Sequence, residues 1–599
     1  MDSSSRLRFG TGRIVMLVAL LVVALQLLWI QTVSAPKLSA EAATQRTVHK
    51  IDYALRGSIV DRNGKSLAFT VATQWLSFQP VIVRKELAEE HAKSAKAPDP
   101  DKRLKAIAKA IHDKLGKDAP SEQDLLSKLN SKDSFVYLVR DVDPRIATEI
   151  TDKFPEVGKE RHDKPVYPGG SLAANIIGAT GWDGHGQVGL ESSLDSILAG
   201  TDGSHTYDQG SDGAMIPGSE RNRHPAVNGT DVELTLDSDL QYYVQQQVQQ
   251  AKDMSGAKDA SVVVLDAHTA QVLAMANDGT FDPAEPQYWG STNLGNPSVT
   301  DAFEPGSVNK IVDASAAIEY GLTTPDEVHQ VPGSIDMGGV TVHDAWSHGV
   351  MPYTTTGIFG KSSNVGTLML AQKIGEDRYA DMLKRFGLGQ RTGVGLPGES
   401  AGRVPPRDQW SGSTFANLPI GQGLSMTLLQ MTGMYQAIAN DGVRIPPRIV
   451  KSEAKPGGSR SEEKQPDGVR VVSAETARTL RQMFQAIVQK DPMGYQQGTG
   501  TPAAIAGYQI AGKTGTAQQI DQACHCYSES RYWITFAGMA PADNPRYVIG
   551  IMLDAPVRST DGSGGQSAAP LFHNIASWAL QRDRVPPSPS AKELVLQAM

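Results

Sequence analysis

The chain is 599 residues long, 40% hydrophobic and 20% charged, with a formal net charge of −8. That length exceeds one ordinary core, so two or more domains are expected. The balanced composition excludes a fibrous or low-complexity protein, the net negative charge argues against a nucleic-acid binder, and the lack of an internal period excludes solenoids and propellers.

In chain order, the first element is an apolar run. From Ile14 to Ile30 every residue is apolar except Gln26, and Gln31, Thr32 and Val33 extend the run. About 20 residues at ~1.5 Å each cross the ~30 Å hydrocarbon layer. Residues 14–33 are therefore expected to be a transmembrane anchor. Arg6, Arg8 and Arg13 precede it and favour a cytoplasmic tail over residues 1–13. A cleaved signal peptide is the alternative, since Ser34-Ala35 and the alanines at 40–43 are small, but the run is long for a signal h-region. Either reading places the bulk of the chain outside the cytoplasm.

Residues 47–228 read as a noncatalytic α+β module. Arg62-Asn63-Gly64 between short apolar runs predicts a hairpin within Thr47–Thr70. Residues 84–131 are rich in Lys, Glu, Asp and Ala, with Leu104, Ile107, Ile111 and Leu115 at helical spacing. They predict a surface helical insert whose charges form a solvated face.

A second unit is expected over 230–580. It starts with a helix from Asp239 (Leu240, Tyr243, Val244, Val248) and strands at Ser261–Leu265 and Val272–Met275 around a His268-Thr269 turn. Trp533–Met539 and Tyr547–Leu553 have strand composition. Strands, then helices, then strands give an α+β fold with an antiparallel sheet packed against a helical region. Residues 453–468 are expected to be an exposed loop and 581–599 a loose tail. The only cysteines, Cys524 and Cys526, flank His525. Thiols two residues apart close a strained ring, and three consecutive ligands suit zinc poorly. A loop with two thiols or a labile bridge is preferred over a metal site, and no cofactor is implied.

Three short motifs carry chemistry. Ser307-Val308-Asn309-Lys310 follows Pro305-Gly306 and opens an apolar helical pattern. Side chains three apart share a helix face, so Lys310 can take the proton that a serine must lose to become a nucleophile. Ser362-Ser363-Asn364 offers a hydroxyl for proton relay and an amide for substrate. Lys513-Thr514-Gly515-Thr516 follows a strand-like run; its lysine suits a substrate carboxylate, its glycine permits close backbone approach, and a strand N–H can meet an oxyanion. Each alone is an ordinary surface helix, cap or tripeptide. In this order they match the set S-x-x-K, S-x-N, K-T-G of penicillin-binding proteins and class A β-lactamases.

The resemblance extends further. Thr300 to Ser307 resembles the nucleophile block of class B penicillin-binding proteins, and Ile420-Gly421-Gln422-Gly423 with Thr427 to Met431 resembles another transpeptidase segment. Arg56 to Gly64, Tyr167-Pro168-Gly169 through Ile177-Gly178, and Gly189-Leu190-Glu191 resemble the blocks of the N-terminal pedestal (dimerisation-type) domain. The family often has Thr-Phe where Val308-Asn309 stands, which leaves both reactive residues intact.

The resemblance implies a D,D-transpeptidase acting on peptidoglycan stem peptides ending in D-Ala-D-Ala. It assigns Ser307 as nucleophile and Lys310 as base, Ser362 with Lys513 as proton donors to the departing D-Ala, and Asn364 as the donor-peptide anchor. Thr514, Thr516 and Lys513 hold the carboxylate, and the amides of Ser307 and Thr516 form the oxyanion hole. It implies β-lactams as covalent ligands. With no glycosyltransferase module or PASTA-like repeats in view, it implies a septal division member partnered by a SEDS-type glycan polymerase. Elongation-type transpeptidases, D,D-carboxypeptidase or β-lactamase-like hydrolases, and noncatalytic β-lactam sensors share these motifs and remain open here.

Overall fold

The structure, a computed structural model, describes residues 3–94, 97–210, 214–521, 523–524, 526–557 and 564–598. Its chain forms two compact bodies, Met1–Leu55 with Gly200–Gly229, and Arg56–Ala199 with Thr230–Met599.

In the first body, the helix Ser3–Thr32 contains a 23-residue stretch, Gly10–Thr32, of mean hydropathy 2.6. Among the described residues it is the one helix long and apolar enough to cross a membrane. A second helix, Ala35–Arg46, leads into strand Thr47–Asp52, which pairs antiparallel with Gly203–Asp208.

The second body is built on two sheets. The predicted hairpin joins Ile59–Val60 to Ser66–Phe78, and Gly64 takes φ +82° in its turn, a conformation that favours glycine. Among the described residues this sheet has seven strands, and it recruits Asp231–Leu234, Val450–Ala454 and Arg460–Glu462. Val232 pairs parallel with Ile59. This sheet thus pairs strands that precede residue 229 with strands that follow it, although the sequence places a division between modules there. Residues 455–468 are largely exposed, and irregular over 463–468, as expected. The start of the segment, however, belongs to a hairpin in which Ser452 opposes Glu462, and buried Glu233 holds Lys451 and Arg460 beside it.

The lysine-rich insert is helical and builds a core of its own. Asp99 caps Pro100–Leu115 by accepting from the Lys102 amide, with proline at the first helical turn. Leu104, Ile107, Ala108 and Ile111 share one stripe and are buried against Leu76, Phe78 and Leu138 of the sheet. Burial contributes roughly 1.5–3 kcal/mol for each large side chain, so the insert is an integral layer rather than a surface appendage.

The sheet that positions the chemistry has, among the described residues, five strands in the order Val272–Asn277, Asp259–Asp266, Tyr547–Asp554, Cys526–Ala540, Ala511–Asp521. All pairs are antiparallel. Its central strands read as unbroken apolar runs because both faces are covered. Val262 and Val264 enter one core with helices Ser238–Ser255 and Gly564–Arg582, while Val263 and Leu265 enter the other with Lys310–Glu319 and Leu428–Ala439. Asp237 caps the first of these helices, accepting from the amides of Asp239 and Leu240.

The C-terminal segment is not loose. Leu596 is fully buried, and residues 594–598 hydrogen-bond to the body of the protein at several points. Cys524 and Cys526 are joined in a disulfide where Ala511–Asp521 turns into Cys526–Ala540, while His525 lies outside the described residues.

Candidate active site

Ser307 sits in a 3-10 turn, Gly306–Asn309, that runs directly into the helix Lys310–Glu319. Gly306 adopts φ +62°, and a Cβ there would lie 2.8 Å from the Thr516 carbonyl oxygen. The turn can therefore press against the Lys513–Thr516 strand only with glycine before Ser307. Gly515 is the reciprocal contact, since a Cβ there would meet Thr535 Oγ1 at 2.1 Å and the Pro305 carbonyl at 2.8 Å. Gly421 closes the third side: the Gly306 amide donates to its carbonyl at 3.0 Å. Ser307 remains partly open to solvent between these walls.

Lys310 and Lys513 are fully buried and converge on one hydroxyl. Lys310 Nζ lies 2.7 Å from Asn364 Oδ1, 2.8 Å from the Ser362 carbonyl and 3.4 Å from Ser362 Oγ. Lys513 Nζ lies 2.9 Å from the same Ser362 Oγ and 2.9 Å from the Thr514 carbonyl. Lys513 stands on the edge strand of the five-stranded sheet, as the motif's strand context predicts. Burial lowers the Lys310 amine to about 8 against the opposing pull of Asp344 and Asp313. Burial and then repulsion from Lys310 hold Lys513 well below the lysine range. Two amines bridged by one hydroxyl in a dry site do not both stay charged.

Ser362 links the two lysines from a left-handed conformation, φ +60°, which costs a non-glycine residue on the order of 1–3 kcal/mol and persists only where neighbours enforce it. Asp344 is one enforcing neighbour. Its buried carboxylate accepts from Ser363 Oγ at 2.7 Å and from the Asn364 and Val365 amides at 2.5 and 3.0 Å. His348 Nε2 lies 2.9 Å from Oδ2, the oxygen that also accepts from Ser363. Ser363 in turn caps helix Asn364–Ile374 through the Gly366 amide. Asp344 therefore anchors the whole Ser362–Asn364 turn, and nothing in the local sequence marks it.

Asp344→Ala would leave buried donors unpaired at about 1–3 kcal/mol each. The expected result is a lower melting temperature together with slower acylation by a labelled penicillin, read in thermal unfolding and stopped-time labelling. Unchanged acylation at a lowered melting point would limit Asp344 to a structural role.

The remaining motif residues divide. Asn364 offers its Oδ1 to Lys310 and donates Nδ2 to the His343 carbonyl at 3.1 Å. Thr516 is half-buried with its backbone against Gly306. Thr514 is largely buried, and its hydroxyl lies 2.8 Å from Thr499 Oγ1. Asn309, where the family pattern often has phenylalanine, is buried and donates to Tyr379 Oη at 3.0 Å and the Leu418 carbonyl at 2.9 Å. Glu304 lies inside the Thr300–Ser307 block, which assigns it no role. It accepts from the Gly423 amide at 3.0 Å and from Tyr527 at 3.4 Å, and burial raises its pKa.

Residues 260–577 match the family model of the penicillin binding protein transpeptidase domain, and residues 51–234 match that of the penicillin-binding protein dimerisation domain. The chain is 65% identical over 593 residues to the penicillin-binding protein PbpB of Mycobacterium tuberculosis, covering 99% of this chain and 87% of that protein. It is 30% identical over 567 residues to the peptidoglycan D,D-transpeptidase FtsI of Escherichia coli K12, covering 93% and 89%. The crystal structure of penicillin-binding protein 3 from Mycobacterium tuberculosis in complex with aztreonam superposes with a TM-score of 0.73 at 57% identity, over 92% of this chain and 100% of that one.

Proposed function

The chain belongs to the class B penicillin-binding proteins, and from that premise we propose how its residues perform peptidoglycan D,D-transpeptidation. One observation carries the assignment of roles, the meeting of the Lys310 and Lys513 amines on the Ser362 hydroxyl at 3.4 and 2.9 Å.

Ser307 attacks the penultimate D-Ala carbonyl of a stem peptide while its proton passes to neutral Lys310. Charge developing on the carbonyl oxygen is met by the Ser307 and Thr516 amides. The tetrahedral intermediate collapses by breaking the C–N bond, and the departing D-Ala takes a proton delivered through Ser362 from the lysine pair. Asn364 orients the donor peptide, and Lys513 with Thr516 supports its carboxylate. An amine of a neighbouring stem then attacks the Ser307 ester, forms the cross-link amide and returns a proton to Ser307. β-Lactams enter the first half of the same cycle and acylate Ser307.

The helix over Gly10–Thr32, long and apolar enough to cross a membrane, supports a chain anchored by a single pass. We place its N-terminus in the cytoplasm and residues beyond the anchor outside it. By analogy with FtsI we further propose a septal role in division beside a SEDS-type glycan polymerase. Muropeptide analysis of isotope-labelled wall from cells carrying the native protein or Ser307→Ala tests the reaction. Loss of newly formed cross-linked dimers is expected; trimmed monomers with undiminished cross-linking would assign a hydrolase instead. Tagged protein confined to the lateral wall would replace the septal reading with elongation.

A further inference from the structure

The last residues of the chain reach both walls of the acylation centre. On one side, the Thr354 amide donates to the Leu596 carbonyl at 3.0 Å, Thr354 Oγ1 donates to the Val595 carbonyl at 2.6 Å, and the Ala598 amide donates to the Pro352 carbonyl at 2.9 Å. Thr354 also caps the helix Thr355–Gly360, whose end passes directly into Lys361 and Ser362. The fit against this helix admits no side chain, since a Cβ on Gly357 would lie 1.8 Å from the Leu596 carbonyl oxygen.

On the other side, the segment is held by two glutamines of the loop following Phe484–Val488. Gln489 exchanges hydrogen bonds with Leu594 at 2.8 and 2.9 Å. Gln496 accepts from the Leu596 amide at 2.6 Å and donates to the Gln597 carbonyl at 2.9 Å. The same loop carries Thr499, whose hydroxyl meets Thr514 Oγ1, next to Lys513 in the strand, at 2.8 Å. Lys361 reaches across to the Gly494 carbonyl. The segment therefore has one set of bonds to the element that delivers Ser362 and another to the loop that braces the Lys513 strand.

We infer that Leu594–Ala598 is a positioning strap for the acylation centre, tying the Ser362 helix to the loop that supports Lys513. The physical need is specific. Ser362 sits in a costly left-handed conformation and must bridge two amines that approach from different elements. Small errors in that spacing are amplified, because a misplacement of ~1 Å can cost about a hundredfold in rate. Leu596 is fully buried, and its side chain packs at Gly360, where an added Cβ would meet Leu596 Cδ1 at 3.3 Å and Ala486 Cβ at 2.9 Å. The inference rests on the roles given above to Ser362 and Lys513.

The test uses the full chain in detergent, a chain ending at Glu593, and the variants Leu596→Ala and Leu596→Met. Noncovalent affinity for a fluorescent penicillin and its acylation rate constant are measured separately. The truncated chain is expected to acylate about tenfold to a hundredfold more slowly with little change in initial affinity. A synthetic peptide of residues 594–599 is expected to restore the rate. Leu596→Ala should show the same selective loss in milder form and Leu596→Met should recover it.

A truncated chain that is folded and acylates like the full one overturns the strap. If truncation unfolds the protein, Leu596→Ala decides: normal acylation, or losses of affinity and rate in parallel with no recovery in Leu596→Met, overturns it. Failure of the native chain to label at the Ser307 peptide would instead overturn the acylation centre itself.

Discussion

Ser307→Ala is expected to abolish covalent labelling by a fluorescent penicillin and transpeptidation with it, while the melting temperature stays close to that of the native chain. The two halves of this outcome have separate causes. Removing the nucleophile of a serine acyl-transfer enzyme costs on the order of 10⁶ in turnover, because the remaining oxyanion and binding groups have no acyl acceptor to act upon. Yet Ser307 is partly exposed, and the turn around it is held by backbone contacts, namely the Gly306 amide on Gly421 and the Val308 carbonyl accepting from Tyr435 Oη at 2.9 Å. Loss of one hydroxyl at such a position shifts stability by only about 0.5 kcal/mol. Gel fluorescence of labelled protein beside a thermal melt reads both halves. An adduct that survives the substitution, mapped to another peptide, would remove Ser307 from the mechanism.

What could be read before the structure, and what could not, follows the range of the forces involved. The strand over Ser261–Leu265 and the hairpin at Gly64 are local patterns of apolar period and turn chemistry, and both stand where the sequence puts them. The strand-like run Tyr508–Ala511, by contrast, only leads into an edge strand that starts at Ala511 and carries Lys513 itself. The stripe Leu104, Ile107, Ile111 is equally local as a helix. That it forms a core against Leu76 and Phe78 depends on residues far along the chain. The C-terminal segment shows the limit most clearly. Pro586, Pro587 and Pro589 read as a free tail, but its fixing partners are the amides of Gln489 and Gln496, about a hundred residues away, and such side-chain-to-backbone bonds leave no periodic trace. Asp344 is hidden for the same reason, since its value lies in aiming at the amides of Asn364 and Val365. Even for the motif pair Ser307 and Lys310, shared helix face places the amine nearby but does not say that its hydrogen bonds go to Ser362 and Asn364.

That last point sets the second large effect. Two acceptors with no proton of their own, the Ser362 carbonyl at 2.8 Å and Asn364 Oδ1 at 2.7 Å, can occupy both N–H groups of a neutral Lys310 amine. The lone pair is then left for a hydroxyl, which is what a base facing Ser307 requires. Protonated Lys310 has no lone pair to offer. With its pKa lowered to about 8, chiefly by burial, the active fraction grows about tenfold per pH unit below that value and levels off above it. The acylation rate constant is thus expected to rise with pH through about 8 and then flatten. Lys310→Arg keeps a cation and its donors but stays protonated at every accessible pH. It is expected to lose roughly 10²–10⁴-fold in acylation rate and to lose the rise near neutrality, while noncovalent binding of the penicillin changes far less. Stopped-flow acylation across a pH series separates these quantities. A Lys310→Arg chain that keeps the native pH profile would move the base to Lys513, the other amine on the Ser362 hydroxyl.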